Sequence, residues 1–248
     1  MKKVLFIVMS VLLLAGIGVF LAYNYVWQPA SKPQAEDYSE HTFGLDISHH
    51  NKMAVWKIID KEGKMTTPIK RSNYNKPDLW ECFNQKKQLN FVYIKATEGA
   101  TFRDPMAKKH HAEAKKRNLK VGYYHFFSRN SSPQAQFKNF VNYAKDADLR
   151  PVIDFENLAI KMKTKEEENT LYKNLCALDE LLEKKYGVKP IIYTNPREYD
   201  MFFKGNKKFE GRLWIPHWEN VLMAQCIVWV NNVPLDFNFT KNLKQVKK

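Results

Sequence analysis

Residues 151–156 read PVIDFE, a short apolar run that carries two carboxylates, Asp154 and Glu156, two residues apart. Successive side chains of a strand point to opposite faces, so the two acids share one face with Cα atoms ~6.5–7 Å apart, while Ile153 and Phe155 pack behind them. Partly desolvated carboxylates at that separation have their pKa values pushed apart, so one holds a proton while the other stays ionised. Acid-catalysed glycoside hydrolysis requires this arrangement. For an isolated Asp-x-Glu, a solvent-facing strand end is the commoner explanation.

Apolar runs and amphipathic stretches alternate from Phe43 onward, which is typical of an α/β domain. The periodicity predicts helices near 55–60, 105–117, 133–145 and 164–186. About eight strands are predicted, at 43–48, 91–97, 120–127, 151–156, 189–195, 211–216, 225–230 and 234–238. The last strands leave no room for full helices between them, so a barrel would close irregularly. The polar segment 63–78 is interpreted as a surface insertion.

Polar and aromatic side chains recur late in these predicted strands. They are Asp46, Lys95, Glu98, Tyr124, Phe126, Asp154, Glu156, Tyr193 and Asp236. Parallel β/α barrels carry their reactive groups at the carboxyl ends of the strands. Chance alone would place fewer acids at the ends of the predicted strands. The sequence therefore predicts an irregular TIM-like (β/α) barrel with a β-rich closing segment and a site at the strand ends.

The amino terminus is interpreted as a membrane anchor. After Lys2 and Lys3 no charge occurs before Lys32, and the nearly unbroken apolar run at 4–22 would span ~28 Å as a helix. Lysines before the run and aromatic residues after it predict a cytoplasmic start and an exported body. We expect a transmembrane signal-anchor at 1–27, a flexible tether at 28–41 and a catalytic barrel at 42–248. A long cleaved signal, giving a secreted protein, is the alternative.

The chain is strongly basic, with a net charge of +14, or +12 without Lys2 and Lys3. A basic exported domain favours anionic polymers of the wall or membrane surface, although dispersed lysines are equally well explained as a solvated face. Without a basic arm or zinc-finger spacing, nucleic acid is not an expected partner. The three cysteines lack metal-ligand spacing, so neither a metal nor a cofactor is expected. His110 and His111 lie in a charged helical stretch and are predicted to be solvated.

Seven motifs, read in order, resemble those of the glycoside hydrolase family 25 lysozymes (N-acetylmuramidases). They are GLDISHH at 44–50, FVYIKATEGATFRDP at 91–105, KVGYYHFF at 120–127, PVIDFE at 151–156, IIYTN at 191–195, LWIP at 213–216 and PLDFN at 234–238. No single motif is diagnostic, but the occurrence of all seven in the same order as in the family is. The resemblance covers about 43–239. It implies hydrolysis of the β-1,4 bond between N-acetylmuramic acid and N-acetylglucosamine in peptidoglycan, on an irregular barrel.

The resemblance also assigns roles to four acids. Glu156 matches the general acid, which protonates the leaving oxygen and therefore needs a raised pKa. Asp154 matches the partner carboxylate, which either stabilises positive charge at the sugar or positions the substrate acetamide as an internal nucleophile, with retention of configuration. Asp46 and Asp236 match two further acids of the cleft. For either of these alone, strand-end hydrogen bonding is the plainer explanation.

Six other residues are candidates for substrate binding. The aromatic ones are Tyr124, Phe126, Tyr193 and Trp214. The two tyrosines would hydrogen-bond the sugar or the acids and the other two rings would stack on sugar faces, but each is equally well explained as a core residue. Lys95, inside an apolar strand, needs an acidic partner, and we expect Asp46 or Glu98. His125 is expected to be a hydrogen-bonded core residue rather than a catalyst.

The carboxyl-terminal part departs from the family pattern. The segment 228–231 (VWVN) stands where the family usually carries Trp-Gln-Tyr, and Ile215, Pro216 and His217 follow Trp214 where the family usually has a small residue and a tyrosine. These changes predict an altered subsite wall but leave the four acids in place. The main rival interpretation is a non-catalytic peptidoglycan-binding protein of the same fold, which would have no use for a costly cluster of carboxylates. A basic lipid- or nucleic-acid-binding protein is a third interpretation.

Overall fold

Eight strands close into a barrel in the computed structural model, which describes residues 38–156, 158, 163–216, 223–230 and 233–241. Ten strands are present in these residues: β1 (Thr42–Ile47), β2 (Arg71–Ser72), β3 (Phe91–Glu98), β4 (Phe102–Arg103), β5 (Lys120–Phe126), β6 (Val152–Asp154), β7 (Ile191–Tyr193), β8 (Leu213–Pro216), β9 (Met223–Val230) and β10 (Val233–Thr240). The barrel order is β1-β10-β9-β8-β7-β6-β5-β3, and β1 pairs with β3 to close it. The short strands β2 and β4 add to β9 and β3.

Every barrel strand except β10 runs in the same direction. The pairs from β1 through β3, β5, β6, β7, β8 and β9 are parallel, whereas β10 is antiparallel to both β9 and β1. Only two residues separate β9 from β10, which leaves no room for a crossover helix. The predicted irregular β/α barrel with a β-rich closing segment is therefore confirmed.

Five helices and several short helical turns cover the described barrel. The helices are α1 (Pro77–Lys86), α2 (Ala107–Lys116), α3 (Pro133–Tyr143), α4 (Lys165–Tyr186) and α5 (Pro196–Glu198). Turns of 3₁₀ helix occupy His49–Asn51, Met53–Ile58 and Lys207–Phe209, and a π-helical turn, Tyr199–Phe203, follows α5. The ends of α4 follow from local sequence: Thr164 and Glu167 form a capping box, and Gly187 adopts a left-handed conformation, φ 71°.

The apolar residues form two layers, one inside the barrel and one between the strands and the helices. Phe91, Tyr93, Val152, Ile191 and Trp214 belong to the inner cluster. Two glycines make room for it: a Cβ on Gly44 would lie 2.4 Å from the Phe91 ring, and one on Gly122 would lie 2.1 Å from the Tyr93 ring. Strand alternation places the intervening apolar side chains in the outer layer. The inner cluster fills the barrel below the site.

Several predictions need correction. Strand β6 ends at Asp154, so Glu156 lies in the following loop rather than in a strand over 151–156. The segment 63–78 is not merely a surface insertion, because Met65 and Ile69 are buried and β2 pairs with β9. Helix α1 begins at the carboxyl-terminal end of this segment and was not predicted. The polar residues of the segment obscure the periodic spacing of its apolar residues.

The predicted tether and His110 also differ from expectation. Tyr38 and His41 are buried, so the last residues of the tether predicted at 28–41 pack against the barrel. The rest of that tether and the anchor predicted at 1–27 lie outside the described residues. Within the described part of the chain, no helix combines the length and apolarity needed to cross a membrane. His110 is buried and accepts a hydrogen bond from Trp56 Nε1 (2.9 Å), so its predicted solvation is wrong.

Candidate active site

A single row of paired residues crosses the carboxyl ends of the strands. Phe126 on β5 pairs with Asp154 on β6, Asp154 pairs with Tyr193 on β7, and Tyr193 pairs with Trp214 on β8. Residues paired in this way point to the same face of a sheet. Glu98 begins the row on β3, beside Phe126. Five candidates from distant parts of the sequence are therefore brought side by side by strand register.

A cavity of about 360 Å³ opens at this end of the barrel. All four predicted acids line it, as do Lys95, Tyr124, Phe126, Tyr193 and Trp214. Glu98 is the one candidate that does not. Residues that were not predicted also line the cavity: Ser48, His50, Asn51, Val152 and Gln225.

Asp46 is held by two amides. Its Oδ2 accepts hydrogen bonds from Gln225 Nε2 (2.8 Å) and Asn238 Nδ2 (2.9 Å), and Asp46 pairs directly with Asp236 across β1 and β10. Burial and the repulsion of Asp236 raise the pKa of Asp46 well above its usual range, and the two amide bonds oppose that shift. The amides fix the position of the carboxyl while leaving it difficult to ionise.

Asp154 is the most enclosed of the four acids. It is 8% exposed, and its Oδ1 is buried without a hydrogen-bond partner in the described residues. Burial raises the pKa of Asp154 well above its usual value, and repulsion from Glu156 and Asp46 adds to the shift, while Lys95 opposes it. Its backbone oxygen accepts the Phe127 N–H (2.9 Å), which fixes the strand end.

Glu156 lies two residues beyond the end of β6 and is half-buried. Phe155, between the two acids, is fully buried, and its N–H donates to the Tyr193 carbonyl (2.8 Å), so the alternation of faces continues past the strand. Burial raises the pKa of Glu156, with further contributions from Glu198 and Asp236. This direction is the one expected of a proton donor.

Burial also raises the pKa of Asp236, so all four carboxyls shift in the same direction. The sequence predicts that the pKa values of Asp154 and Glu156 are pushed apart, so that one carboxyl is protonated and the other ionised. In the structure both pKa values are raised, because burial acts on both groups and Glu156 repels Asp154. Interacting carboxyls of this kind titrate as one set, whose protons are shared among its members.

Lys95 pairs with Glu98 rather than with Asp46. The Nζ to Oε2 distance is 2.8 Å, and Nζ also lies 4.7 Å from the centre of the Phe126 ring. Lys95 is only 7% exposed, so the expected acidic partner is confirmed as Glu98. Lys95 lines the cavity, and Glu98 acts on the site through it.

The aromatic candidates divide by exposure. Tyr193 is half-buried, and its hydroxyl donates to Gln225 Oε1 (3.0 Å), which links it to the amide that holds Asp46. Tyr124 and Phe126 are also half-buried beside the cavity. Trp214 is 1% exposed and packs against Tyr193, with ring centres 5.2 Å apart. Its buried ring favours the core alternative over stacking on a sugar, and both remain predictions.

His125 is a core residue, as expected. It is fully buried, and its ring nitrogens contact Thr97 Oγ1 (2.8 Å) and Gln136 Oε1 (3.0 Å). Burial lowers the pKa of His125 to about 4, so it is neutral at physiological pH. A neutral imidazole that makes two hydrogen bonds away from the cavity does not serve as a catalytic acid.

Sequence reasoning missed a fifth acid, Glu198. It is fully buried at the end of α5, and its Oε1 accepts the Leu158 N–H (2.8 Å), two residues after Glu156. Asn195 caps the same short helix by accepting the Glu198 N–H (3.1 Å). Nothing in the sequence near Glu198 marks it, because its partner Leu158 is 40 residues away.

Gln225 and Asn238 were also missed as supports of the site. Asn238 belongs to the PLDFN motif, so the Asp-x-Asn pattern was a signal for it. Gln225 had a weaker signal, because the segment that corresponds to the family's Trp-Gln-Tyr is predicted at 228–231, whereas the glutamine that reaches the cleft lies three residues before it on β9. In the described residues no group of three or more His, Cys, Asp or Glu side chains is placed to hold a metal.

A family model, Glycosyl hydrolases family 25, matches residues 45–233. Two curated relatives are the autolytic lysozyme of Clostridium acetobutylicum, 31% identical over 128 residues (50% of this chain, 36% of that protein), and the protein YegX of Escherichia coli, 31% identical over 133 residues (53% and 47%). The chain thus matches less than half the length of either curated relative.

A solved structure shares the fold. A family 25 glycosyl hydrolase from Bacillus anthracis superposes with a TM-score of 0.60 at 22% identity, covering 89% of this chain and 100% of that one. At that identity, the likeness establishes the barrel fold and not the chemistry.

Proposed function

Because this chain belongs to glycosyl hydrolases family 25, we propose that it is a muramidase that cleaves the β-1,4 bond between N-acetylmuramic acid and N-acetylglucosamine in peptidoglycan. One observation carries the proposal: four carboxyls from β1, β10 and the end of β6 meet in one cavity, with their pKa values raised. A cluster of buried acids destabilises a fold, so its presence in a cleft points to catalysis. The printed name of the clostridial relative, autolytic lysozyme, supports the same chemistry.

Glu156 is the proposed general acid. Its raised pKa favours the protonated form, and its half-buried position at the cavity lets it donate that proton to the leaving glycosidic oxygen as the bond to C1 breaks. Glu198 supports this role in two ways: it holds the loop at Leu158, and its repulsion disfavours ionisation of Glu156.

Asp154 is the proposed partner carboxyl. Positive charge that develops at C1 would favour its ionised form, which would stabilise the oxocarbenium-like transition state or orient the acetamide of the substrate. A substrate N–H would satisfy the oxygen that lacks a partner. We favour assistance by the acetamide: its oxygen bonds to C1 as the glycosidic bond breaks, and water then displaces it from C1 and gives a proton back to Glu156, with retention of configuration. Asp46 and Asp236 complete the acidic cleft on the opposite side of the barrel.

The sugar would be held by side chains that already border the cavity. Tyr124 and Tyr193 present hydroxyls, Phe126 presents a ring, and Lys95 brings a cation that Glu98 offsets. Burial raises the pKa of both tyrosines, so they act as neutral hydrogen-bonding groups. These roles would make the cavity one subsite of an extended glycan-binding cleft.

We also propose that the barrel works outside the cytoplasm, tethered to the membrane through the apolar segment at 4–22, with a secreted form after cleavage as the alternative. The supporting observation is the sequence alone: a nearly unbroken apolar run of 19 residues after two lysines. Peptidoglycan lies on that side of the membrane, so the location and the substrate agree.

The product identifies the bond that is cut. Purified cell walls would be digested with the full chain in mild detergent, and the released muropeptides would be reduced and measured by mass spectrometry. Reducing ends on N-acetylmuramic acid would support the proposal, whereas reducing ends on N-acetylglucosamine or free stem peptides would contradict it. Walls stripped of N-acetyl groups should be cut poorly if the acetamide assists. Equal digestion of walls with and without N-acetyl groups would overturn the proposed assistance by the acetamide and leave the rest of the proposal standing.

The main alternative is a peptidoglycan-binding protein without activity. The altered segment at 228–231 is its only support. It predicts that the protein sediments with walls while releasing no reducing sugar, and that Glu156→Gln behaves like the wild type. The four retained acids favour the enzyme.

A further inference from the structure

The face of the barrel opposite the cleft is formed by the amino ends of the parallel strands and the carboxyl ends of the helices. Helix α2 ends at Lys116 just before β5 begins at Lys120, and α4 ends at Tyr186 just before β7 begins at Ile191. The turn at Asp60–Lys64 joins this face through hydrogen bonds from Met65 N–H to the Lys87 carbonyl (2.8 Å) and from Leu89 N–H to the Gly63 carbonyl (3.0 Å). We call this surface the amino-end face.

The amino-end face is strongly basic. Twelve exposed lysines lie at its helix ends, strand starts and turns, whereas the exposed acids there among the described residues are Glu40, Glu62, Asp146, Glu180 and Glu210. Helix dipoles favour cations at helix carboxyl ends, which accounts for lysines such as Lys184 and Lys185. They do not account for the six lysines in turns, 3₁₀ helix and strand starts, namely Lys61, Lys64, Lys120, Lys189, Lys207 and Lys208.

Some of these lysines are partly offset by acids. Lys115 pairs with Asp148 (2.6 Å), Lys116 pairs with Glu113 (2.7 Å), and Lys208 pairs with Glu180 (2.9 Å). Exposed pairs of this kind are weak and yield to a competing anion. The excess of positive charge on this face therefore remains after its ion pairs are counted.

The chain joins the barrel at the same face. Strand β1 begins at Thr42, paired with Thr240 at the end of β10, so both ends of the barrel sequence lie at the amino-end face. Only residues 23–37 separate Tyr38 from the apolar segment at 4–22, and fifteen residues reach at most ~50 Å. An anchored chain would therefore be attached to the membrane through this face, within that reach.

We propose that the amino-end face docks on an anionic phospholipid surface. The proposal rests on the membrane tether proposed above. Membrane surfaces that carry anionic lipids attract basic groups within about a Debye length, ~8 Å at physiological salt. The tether supplies a high local concentration, so many weak lysine contacts suffice to orient the barrel. The docked barrel presents its cleft away from the membrane, toward the glycan. We favour lipid over an anionic wall polymer because the tether holds this face, and not the cleft, near the bilayer.

The test is hydrogen exchange on the full chain in vesicles. The protein would be reconstituted in phosphatidylcholine alone and in phosphatidylcholine mixed with phosphatidylglycerol. The proposal predicts exchange slowed about tenfold at 117–119 and 187–189 in the anionic vesicles only. The protection should disappear near ~1 M salt, where the Debye length is ~3 Å.

Two matched triple variants locate the effect. The combination Lys184→Glu, Lys185→Glu and Lys189→Glu should abolish the protection. The control Lys108→Glu, Lys109→Glu and Lys163→Glu makes the same charge change at helix starts on the cleft side and should retain it. Equal loss in both variants would show that only net charge matters and would overturn the proposal.

Other outcomes are equally decisive. Equal exchange in the two kinds of vesicle would overturn the proposal, and protection by soluble poly(glycerol phosphate) without protection by anionic vesicles would assign the face to a wall polymer instead. Flotation of the protein with neutral vesicles tests separately whether the amino-terminal segment anchors the chain in the membrane. A chain that does not float with them yet is protected by anionic vesicles would refute the tether while supporting the docking face.

Discussion

At the carboxyl ends of the strands, four carboxyls are confined in a cavity of about 360 Å³, whereas at the amino ends twelve lysines are spread over an exposed surface. The acids are few and partly or fully buried, and one of them, Asp46, is held by two amides. The lysines are exposed, and most lie on turns and element ends. Burial makes each charge in the cavity costly and tunes its pKa, while water screens the lysines, so they act only as a group. We propose chemistry at one end of the barrel and attraction to anionic lipid at the other.

The largest expected effect is at Glu156. Glu156→Gln keeps the shape and removes the proton, so kcat on peptidoglycan should fall roughly 10²–10⁴-fold. Reducing-sugar release from purified walls measures it. Glu166→Gln, an exposed acid in the first turn of α4, is the matched control and should leave the rate unchanged. Equal rates for the wild type and Glu156→Gln would show that Glu156 is not the general acid.

Asp154→Asn should lower activity and raise stability. Because burial raises the pKa of Asp154, the wild-type fold loses stability as the pH rises from the unfolded value, ~3.9, through the folded pKa, whereas Asn does not titrate. The variant should therefore melt higher at pH 7, by roughly 2–4 °C for about 1 kcal/mol in a domain of this size. The difference should vanish near pH 3.

Melting curves across pH check this prediction. Asp200→Asn changes an exposed aspartate after α5 and serves as the control. A gap in Tm that is constant across pH would show that the substitution acts through packing and not through ionisation of Asp154.

A smaller effect is expected at Glu198. Glu198→Gln retains an oxygen that can accept the Leu158 N–H but removes a charge that raises the pKa of Glu156. The pKa of Glu156 should fall, and the alkaline limb of the kcat/KM profile should move to lower pH, with roughly a two- to five-fold loss on that limb and none on the acid side. A uniform loss at every pH would mean that Glu198 only supports the loop.

The smallest effect is expected from the other end of the barrel. The combination Lys184→Glu, Lys185→Glu and Lys189→Glu should change kcat/KM on short soluble glycan fragments less than about two-fold, because the barrel separates these lysines from the cleft by more than a Debye length. Steady-state kinetics with soluble fragments measures this. A larger change would show that the two ends are electrostatically coupled and would erase the contrast between them.

Much of the fold was predictable because local patterns agreed with it. Helix α4 was placed from Thr164 and Gly187, and the PVIDFE motif placed two acids on one face with Phe155 behind. Helix α1 and the buried Met65 and Ile69 were missed, because polar neighbours hide their periodicity. The end of β6 was also missed, since Glu156 keeps the alternation of a strand after the strand pairing has ended.

The sequence by itself determined which residues carry charge, which motifs occur in which order and where α4 begins and ends, since these depend on neighbours along the chain. Tertiary structure alone decided that Asp46 faces Asp236 across 190 residues, that Gln225 and Asn238 hold Asp46, and that Glu198 lies beside Glu156. It also decided that the lysines gather on one face. Strand register and barrel closure bring these groups together, and no local periodicity encodes either, because both depend on contacts between distant segments.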